Sequence, residues 1–262
     1  MSGSGNGKPS PVLDDGPERR LRRASRRGFA SAGALALAGL AGWRWLMTRS
    51  DDGGLPWPFR RVLEANERLA RGAFRGSRLS PSFPLGRARE PRVNGVIGLE
   101  GPLDADAWRL RVVGPTGAPR ALTLGEVRAF PRIAMTTELR CVEGWSEVVH
   151  WTGARLADVA RGTGLAVRRA GGGRLLDYAA VETPDADYYV GLDMASVLHP
   201  QTLLCYAMNG RPLTPTHGAP LRLVIPVKYG IKSLKRIGTI RFTDERPADY
   251  WAERGYDWYA GH

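Results

Sequence analysis

The residues HGAPLRLVIPVKYGIKSLKRI, positions 217–237, carry the most informative pattern in the chain. Five cations fall within 15 residues of this stretch: Arg222, Lys228, Lys232, Lys235 and Arg236. The stretch has no acidic residue, glycines and prolines punctuate it, and two apolar segments typical of strands bracket it. Cations beside turns with free backbone N–H groups suit a phosphate or a similar anion, although a solvated basic loop has the same composition.

The rest of the chain has the composition of a folded, turn-rich protein. Of its 262 residues, 43 % are hydrophobic and 24 % are charged, and 33 are glycine and 19 proline. A chain of this length can bury one sizeable core plus a small appendage. The many turn residues favour a β-rich fold over a helix bundle.

The formal net charge of +12 is concentrated near the N-terminus. Lys and Arg exceed Asp and Glu by six in residues 1–50, by four in residues 51–92 and by two in residues 93–262. A nucleic-acid binder would carry its basic patch on a recognisable binding module. None accompanies this charge, so we predict no nucleic-acid partner.

Hydrophobic spacing predicts short strands and helices without a regular βαβ order. We expect helices over residues 59–74 and 151–165, and strands over 108–114, 174–183, 203–210 and 221–230. Residues 49–91 are predicted to hold a linker, the first helix and a Pro/Arg-rich extension that wraps along the surface. The predicted fold class is therefore a mixed α+β domain.

Residues 1–48 are typical of an export leader. The basic RRLRRASRR (19–27) precedes an apolar run over residues 28–43, shorter than the roughly 20 apolar residues of a membrane-spanning helix. The stretch SRRGF (25–29) resembles the twin-arginine export motif, whose pathway carries folded proteins. A clean cleavage site is missing after the run, so a cleaved signal and an uncleaved membrane anchor both stay open. We expect a periplasmic or otherwise extracytoplasmic location.

The two cysteines stand in contrasting settings. Cys205 lies in an apolar stretch and is typical of a small buried hydrophobe. Cys141, in ELRCVEGWSEVVHW (138–151), follows an arginine and precedes polar and aromatic residues. A lone thiolate there suits a transition metal whose other ligands come from a cofactor. A disulfide with Cys205 and a Cys/His nucleophile are the alternatives.

Four segments carry a family resemblance: LRCVEGWS, VET, MNGRPLTPTHGAPLRLVIPVKYGIKSLKRI and DYWAERGYDWYAGH. In this order they resemble the sulfite oxidase superfamily of molybdopterin enzymes, in particular the branch of the periplasmic molybdenum-dependent methionine sulfoxide reductases. The resemblance implies a β-rich, mixed α+β molybdopterin-binding domain over residues 92–262. We expect it to lack the C-terminal immunoglobulin-like dimerisation domain of true sulfite oxidases and to be a monomer.

The resemblance also implies a site. Cys141 matches the family's molybdenum ligand and is the implied catalytic residue. The other matches are positions that contact the cofactor or close over its phosphate: Asn94, Thr183, His217, Arg222, Ser233, Leu234 and Lys235. The implied cofactor is molybdenum with molybdopterin.

The implied function is oxygen-atom transfer by an exported oxidoreductase. Sulfite oxidases carry an arginine-bearing segment after the cysteine, whereas this chain has Glu143 and Glu147, and a carboxylate repels a dianion. We therefore expect reduction of a small neutral substrate such as a sulfoxide or oxidised methionine. Electrons would come from a separate redox partner, with a membrane haem protein as one candidate. The alternatives are a sulfite-type oxidase and a non-catalytic binding or assembly protein that keeps the fold.

Overall fold

The computed structural model describes residues 16–115, 118–168 and 173–262. The chain divides into two units, Met1–Ser50 and Asp51–His262. The first unit contains one helix, α1 (Pro17–Met47), which includes the predicted basic stretch and the apolar run. Among the described residues, no helix combines the length and the hydropathy needed to cross a membrane.

The second unit contains short helices interspersed with strands. Its helices are α2 (Trp57–Ala73), α3 (Leu124–Ala129), α4 (Leu156–Thr163) and α5 (Met194–Val197). Its first strands are β1 (Asp51–Asp52), β2 (Leu55–Pro56), β3 (Leu110–Val113), β4 (Arg120–Leu122), β5 (Arg132–Arg140) and β6 (Ser146–Arg155). The later strands are β7 (Tyr178–Glu182), β8 (Tyr189–Asp193), β9 (Leu203–Met208), β10 (Arg211–Pro212), β11 (Arg222–Val224) and β12 (Thr239–Thr243).

Two five-stranded sheets form the body of this unit. One has the order β10-β9-β6-β5, with β11 also paired to β9, and its pairs are antiparallel. The other has the order β4-β3-β12-β7-β8, in which β3 and β12 run parallel. Leu204 and Leu223 of the first sheet share one core with Val112 and Ile240 of the second. The mixed α+β class predicted from the sequence is confirmed.

One predicted helix boundary is wrong. The spacing in residues 151–165 predicted a helix throughout, but residues 151–155 complete β6 and α4 begins at Leu156. These residues pair with β5 on one side and with β9 on the other. Gly153 permits the close approach of β9, because a Cβ there would lie 2.3 Å from the carbonyl oxygen of Leu204. Strand pairing on both sides therefore outweighs the helical spacing.

Helix α2, which matches the predicted helix over 59–74, is anchored by buried charges. Glu67 is 5 % exposed and accepts a hydrogen bond from Arg246 at 2.7 Å. Arg71, one turn further along, lies 3.4 Å from the same carboxylate. The ring of Phe74 packs edge-on against Tyr259, with centroids 6.4 Å apart. These contacts connect the N-terminal extension to the C-terminal residues of the same unit.

Residues 77–97, called the strap below, run beside β5 and β6. The side chain of Gln201 makes two hydrogen bonds with the backbone of Ser80, at 2.7 and 3.0 Å. Further along, the N–H of Arg89 donates to the carbonyl of Val148 in β6 at 2.8 Å. The strap is therefore fixed at both points before its last residues reach the end of β5.

Candidate active site

A cavity of about 400 Å³ lies where the strap, the end of β5 and residues 217–235 meet. Six of the eight site residues implied by the resemblance line it: Asn94, Cys141, His217, Arg222, Ser233 and Lys235. The fold thus brings residues that are widely separated in sequence together in one wall of the cavity. Asn94 and Lys235, for example, are 141 positions apart and share a hydrogen bond.

The two other implied residues lie behind the wall. Leu234 is fully buried in the main core, and its carbonyl accepts from the N–H of Leu223 at 2.8 Å. Thr183 is 2 % exposed, and its hydroxyl accepts from the N–H of Tyr188 at 3.1 Å. Gly98 packs so tightly on this threonine that a Cβ there would lie 2.4 Å from the methyl group. These two side chains support the wall and do not line the cavity.

Cys141 stands one residue beyond β5, in a turn that fixes its backbone. Its N–H donates to the carbonyl of Trp145 at 2.9 Å, and its own carbonyl accepts from Gly144 at 3.2 Å. Gly144 has a φ of +86°, which a glycine adopts without strain. The thiol of Cys141 is free and partly exposed, and it faces the cavity.

The second cysteine has no part in the cavity. Cys205 is fully buried among apolar side chains, and burial raises the pKa of its thiol to about 11. It is also free, so the disulfide with Cys141 that the sequence left open is not formed. Cys205 is the small buried hydrophobe predicted from its setting.

A polar clamp holds the strap against the cysteine turn. Glu143 Oε2 accepts from the indole N–H of Trp145 at 2.9 Å and from Asn94 Nδ2 at 3.2 Å. The same amide nitrogen lies 3.8 Å from the sulfur of Cys141, while Lys235 Nζ donates to the carbonyl of Asn94 at 2.6 Å. The hydrogen bonds from Trp145 and Asn94 lower the pKa of Glu143, so its carboxylate is ionised at neutral pH.

The guanidinium of Arg222 is buried without a compensating carboxylate. Arg222 is 3 % exposed, and it donates to the carbonyls of His217 at 3.2 Å and Ser233 at 3.3 Å. Its Nε has no hydrogen-bond partner, and no acidic side chain of the described chain forms an ion pair with it. Burial lowers the pKa of Arg222 to about 10. A buried cation of this kind is expected to have an anionic partner.

Lys235 extends the positive region, whereas the neighbouring His217 does not. Lys235 is half-buried, and burial together with Arg222 lowers its pKa to about 8. Burial and the same two cations also lower the pKa of His217, whose ring is therefore neutral at pH 7. The nearest carboxylate oxygen recorded for the ring belongs to Glu90, 3.6 Å from Nε2 and outside hydrogen-bond range.

The other cations of the basic segment form ion pairs or hydrogen bonds away from the cavity. Lys232 forms a buried ion pair with Asp249 at 2.5 Å, both side chains being 1 % exposed. Lys228 donates to the carbonyl of Tyr259 at 2.9 Å. Neither lysine lines the cavity, and neither does Arg236, which donates to backbone carbonyls. Of the five cations in this segment, only Arg222 and Lys235 line the cavity.

The charge at the cavity also differs from the expectation. Glu143 lines the cavity, but Glu147, within β6, does not. Arg92, from the strap, does line it and helps to lower the pKa of Glu143. Aromatic side chains form much of the remaining wall: Trp145, Tyr188, Trp251 and Tyr256. No sequence pattern links Arg92 to the cysteine motif, so sequence reasoning missed it.

The donor set fits the implied molybdopterin cofactor. A free thiol on a rigid turn supplies a soft metal ligand. The orphaned guanidinium of Arg222 and the ammonium of Lys235 supply positive charge for a phosphate. Cys141 would therefore hold the metal, and Arg222 with Lys235 would hold the phosphate end.

Comparison with known proteins identifies a molybdopterin-binding family. The family model described as "Oxidoreductase molybdopterin binding domain" matches residues 98–251. The protein-methionine-sulfoxide reductase catalytic subunit MsrP of Campylobacter jejuni is 38 % identical over 166 residues, 58 % of this chain and 56 % of that protein. The uncharacterized oxidoreductase YuiH of Bacillus subtilis is 36 % identical over 154 residues, 58 % of this chain and 74 % of that protein.

A solved structure is also similar. The sulfane dehydrogenase SoxCD from Paracoccus pantotrophus aligns with a TM-score of 0.48 and 23 % identity, over 65 % of this chain and 46 % of that one. The chain spans about half the length of the methionine-sulfoxide reductases that it matches. Because the family model covers more than half of the chain, this protein belongs to the oxidoreductase molybdopterin-binding domain family of the sulfite oxidase superfamily.

Proposed function

We propose that this protein is an exported molybdenum-cofactor oxidoreductase that reduces a sulfoxide, with oxidised methionine as the best candidate. The observation that carries the proposal is one cavity holding both the free thiol of Cys141 and the buried, carboxylate-free guanidinium of Arg222. Relatives named protein-methionine-sulfoxide reductase catalytic subunits support the choice of substrate.

The protein's part in such a reaction is binding and orientation. The bound cofactor would supply the two-electron oxygen-atom transfer chemistry. The cysteine turn holds Cys141 as the metal ligand, and the clamp of Glu143 and Asn94 fixes the strap beside it. The aromatic wall gives an alkyl sulfoxide an apolar surface and limits the access of water.

The charges of the cavity favour a neutral substrate. Arg92 and Glu143 both line it and offset one another, while Arg222 and Lys235 would be paired with the cofactor phosphate. A sulfoxide carries no net charge, and its oxygen is a strong acceptor for a donor such as the amide of Asn94. Arg92 is also the specific observation that favours the second candidate, a sulfite-type oxidase, because a guanidinium can pair with an oxyanion.

Steady-state assays of both reactions on one holoprotein preparation test the proposal. With an artificial electron donor, kcat/KM for methionine sulfoxide or a dialkyl sulfoxide should exceed that for sulfite oxidation with an artificial acceptor by about tenfold or more, since the aromatic wall and the offset charges of Arg92 and Glu143 do not compensate the desolvation of a dianion. Sulfite oxidation that outpaces sulfoxide reduction and disappears in Arg92→Ala would support the second candidate instead.

Metal analysis supplies the control. Wild-type protein from a molybdopterin-competent host should carry about one molybdenum per chain, the stoichiometry of a single thiolate site. Cys141→Ser should lose activity, whereas Cys205→Ser, with its sulfur in the core, should keep the metal. Equal metal content and activity in wild type and Cys141→Ser would contradict the ligand assignment.

We also propose export by the twin-arginine route and reduction by a separate redox partner, a membrane haem protein being one candidate. The basic stretch before a weak apolar run supports the first, and the absence of a C-x-x-C-H haem motif from the sequence supports the second. Changing Arg26 and Arg27 to Lys should leave folded protein in the cytoplasm. Unimpaired export of that variant would rule the route out.

A further inference from the structure

A second cavity, of about 430 Å³, lies on the other side of the cysteine segment from the candidate active site. Its walls come from the end of α2, the start of the strap, Arg140 and the C-terminal residues. None of its lining residues lines the first cavity. It is as large as the candidate active site and falls in the size range of small-molecule sites.

Guanidinium groups line the second cavity, and no acidic residue does. Arg78 has no side-chain hydrogen bond or ion pair with any described residue. Arg75 donates to two carbonyls at the end of α2, at 2.7 and 2.8 Å. Arg140 donates to Glu138, which lies outside the lining, at 2.7 Å and faces Nδ1 of His262 at 3.2 Å. The cavity therefore has excess positive charge.

The histidine does not add to that charge. Burial and the nearby Arg140 lower the pKa of His262, so its ring is neutral at pH 7 and accepts from the guanidinium. The ring of Tyr229 packs against the ring of His262, with the ring centroids 5.1 Å apart. Arg78, whose side chain has no partner among the described residues, is the cation most available to a ligand, and Arg140 would share its guanidinium between the ligand and Glu138.

The rest of the wall is apolar. Its aliphatic and aromatic members are Ala70, Ala73, Phe74, Leu79, Pro81 and Val227. One of them, Leu79, is 55 % exposed, an uncommon state for a large apolar side chain at the rim of a cavity. A ligand that suits both parts of this wall has an acidic head and a short apolar body.

The second cavity shares a partition with the first. Leu139 and Cys141 line the first cavity while Arg140 lines the second, because side chains alternate along an extended chain. Gly230 covers the partition so closely that a Cβ there would lie 3.2 Å from the carbonyl oxygen of Arg140. A group bound to Arg140 would therefore contact the residue next to the candidate metal ligand.

We propose that the second cavity binds a small amphiphilic carboxylate. The head group lies between Arg78 and Arg140, where a planar carboxylate matches the donor fork of a guanidinium. The alkyl chain packs against Phe74 and Val227. The proposal does not depend on the reaction catalysed in the first cavity.

Calorimetric titration of the full-length holoprotein tests it with three probes of equal chain length: octanoate, 1-octanol and octylammonium. Octanoate should bind with a stoichiometry of about one, at least tenfold more tightly than octanol, since charge-assisted hydrogen bonds are about twice as strong as neutral ones. Octylammonium should show no binding.

Variants locate the site. Arg78→Ala should weaken octanoate binding by about tenfold, the effect of losing one charged partner, without lowering the melting temperature, because this side chain is exposed. Arg87→Ala is the matched control: it is also an exposed strap arginine, but its guanidinium lies over Phe83 and outside the cavity. Lys235→Met tests occupancy of the first cavity.

Three results would overturn the proposal. The first is that wild-type protein binds octanoate no more tightly than octanol, or does not bind it. The second is that Arg78→Ala and Arg87→Ala bind octanoate equally well. The third is that octanoate binding survives in Arg78→Ala and disappears in Lys235→Met, which would place the ligand in the first cavity.

Discussion

Replacing Arg222 with methionine should leave the apoprotein nearly as stable as wild type and yet weaken cofactor binding by about 10- to 150-fold. The side chain is buried, and burial lowers its pKa to about 10, so the charged form is penalised. At 1.36 kcal/mol for each pKa unit, the penalty is about 3 kcal/mol, and methionine removes it while filling a similar length.

The interactions that Arg222 makes in the wild-type protein are lost in the variant, and their loss offsets the gain from removing the buried charge. Arg222 gives up two hydrogen bonds to backbone carbonyls, each worth about 1 kcal/mol, and a contact 5.0 Å above the ring of Trp151 worth about 1 kcal/mol. The net change in the free energy of unfolding of the apoprotein is then about zero, to within about 1 kcal/mol. With cofactor, a phosphate would lose a charged partner worth about 1.5–3 kcal/mol, a factor of about 10 to 150 in affinity.

Denaturant unfolding of the apoprotein and the rate of cofactor loss from the holoprotein measure the two effects separately. Arg236→Met is the matched control, because Arg236 is also buried with an unpartnered Nε but does not line the cavity. It should keep the cofactor. If Arg222→Met destabilised the apoprotein by more than about 3 kcal/mol, as a poorly filled core site does, and released cofactor at the wild-type rate, the guanidinium would be structural and our assignment wrong.

Three more predictions concern single positions. Because burial lowers the pKa of Lys235 to about 8 in the cofactor-free protein, its charge is present below that pH and lost above it, so the affinity for cofactor should fall as pH rises above about 8, and Lys235→Arg should flatten this dependence. Asp249→Asn leaves the buried Lys232 without its carboxylate and should lower the free energy of unfolding by about 3–5 kcal/mol; a denaturant-measured loss below about 1 kcal/mol would contradict this. Gly98→Ala, at a φ of +72° and against Thr183, should cost about 1–3 kcal/mol, and an unchanged melting temperature would argue against the close packing.

The sequence predicts much of the fold because hydrophobic spacing is a local property. Helix α2 was predicted to within two residues at its start, and Cys205 was predicted to be buried. The failure at residues 151–155 arises from pairing with β9, a strand about fifty positions further along the chain. No local pattern contains that information.

Apart from the family resemblance, the candidate site could be predicted only from residue types that have few other roles in proteins. A lone Cys141 and a dense group of cations are conspicuous, but the sequence does not show which cations face inward. Composition alone does not distinguish Lys232 from Lys235; only the family resemblance singled out Lys235, and the structure shows that Lys232 is paired with Asp249. The sequence did not predict that Arg92 lines the cavity, because its position there depends on the path of the strap.

The hydrogen bond between Lys235 and Asn94 bears on biosynthesis. The two residues are 141 positions apart, so the cavity does not exist until the ribosome has released the chain beyond residue 235. Cofactor binding must then follow the synthesis and folding of residues 94–235. Once bound, a ligand that prefers the folded state stabilises it by mass action. In a cell short of cofactor, a larger fraction of the protein should therefore be in the less stable cofactor-free form, which proteases degrade first.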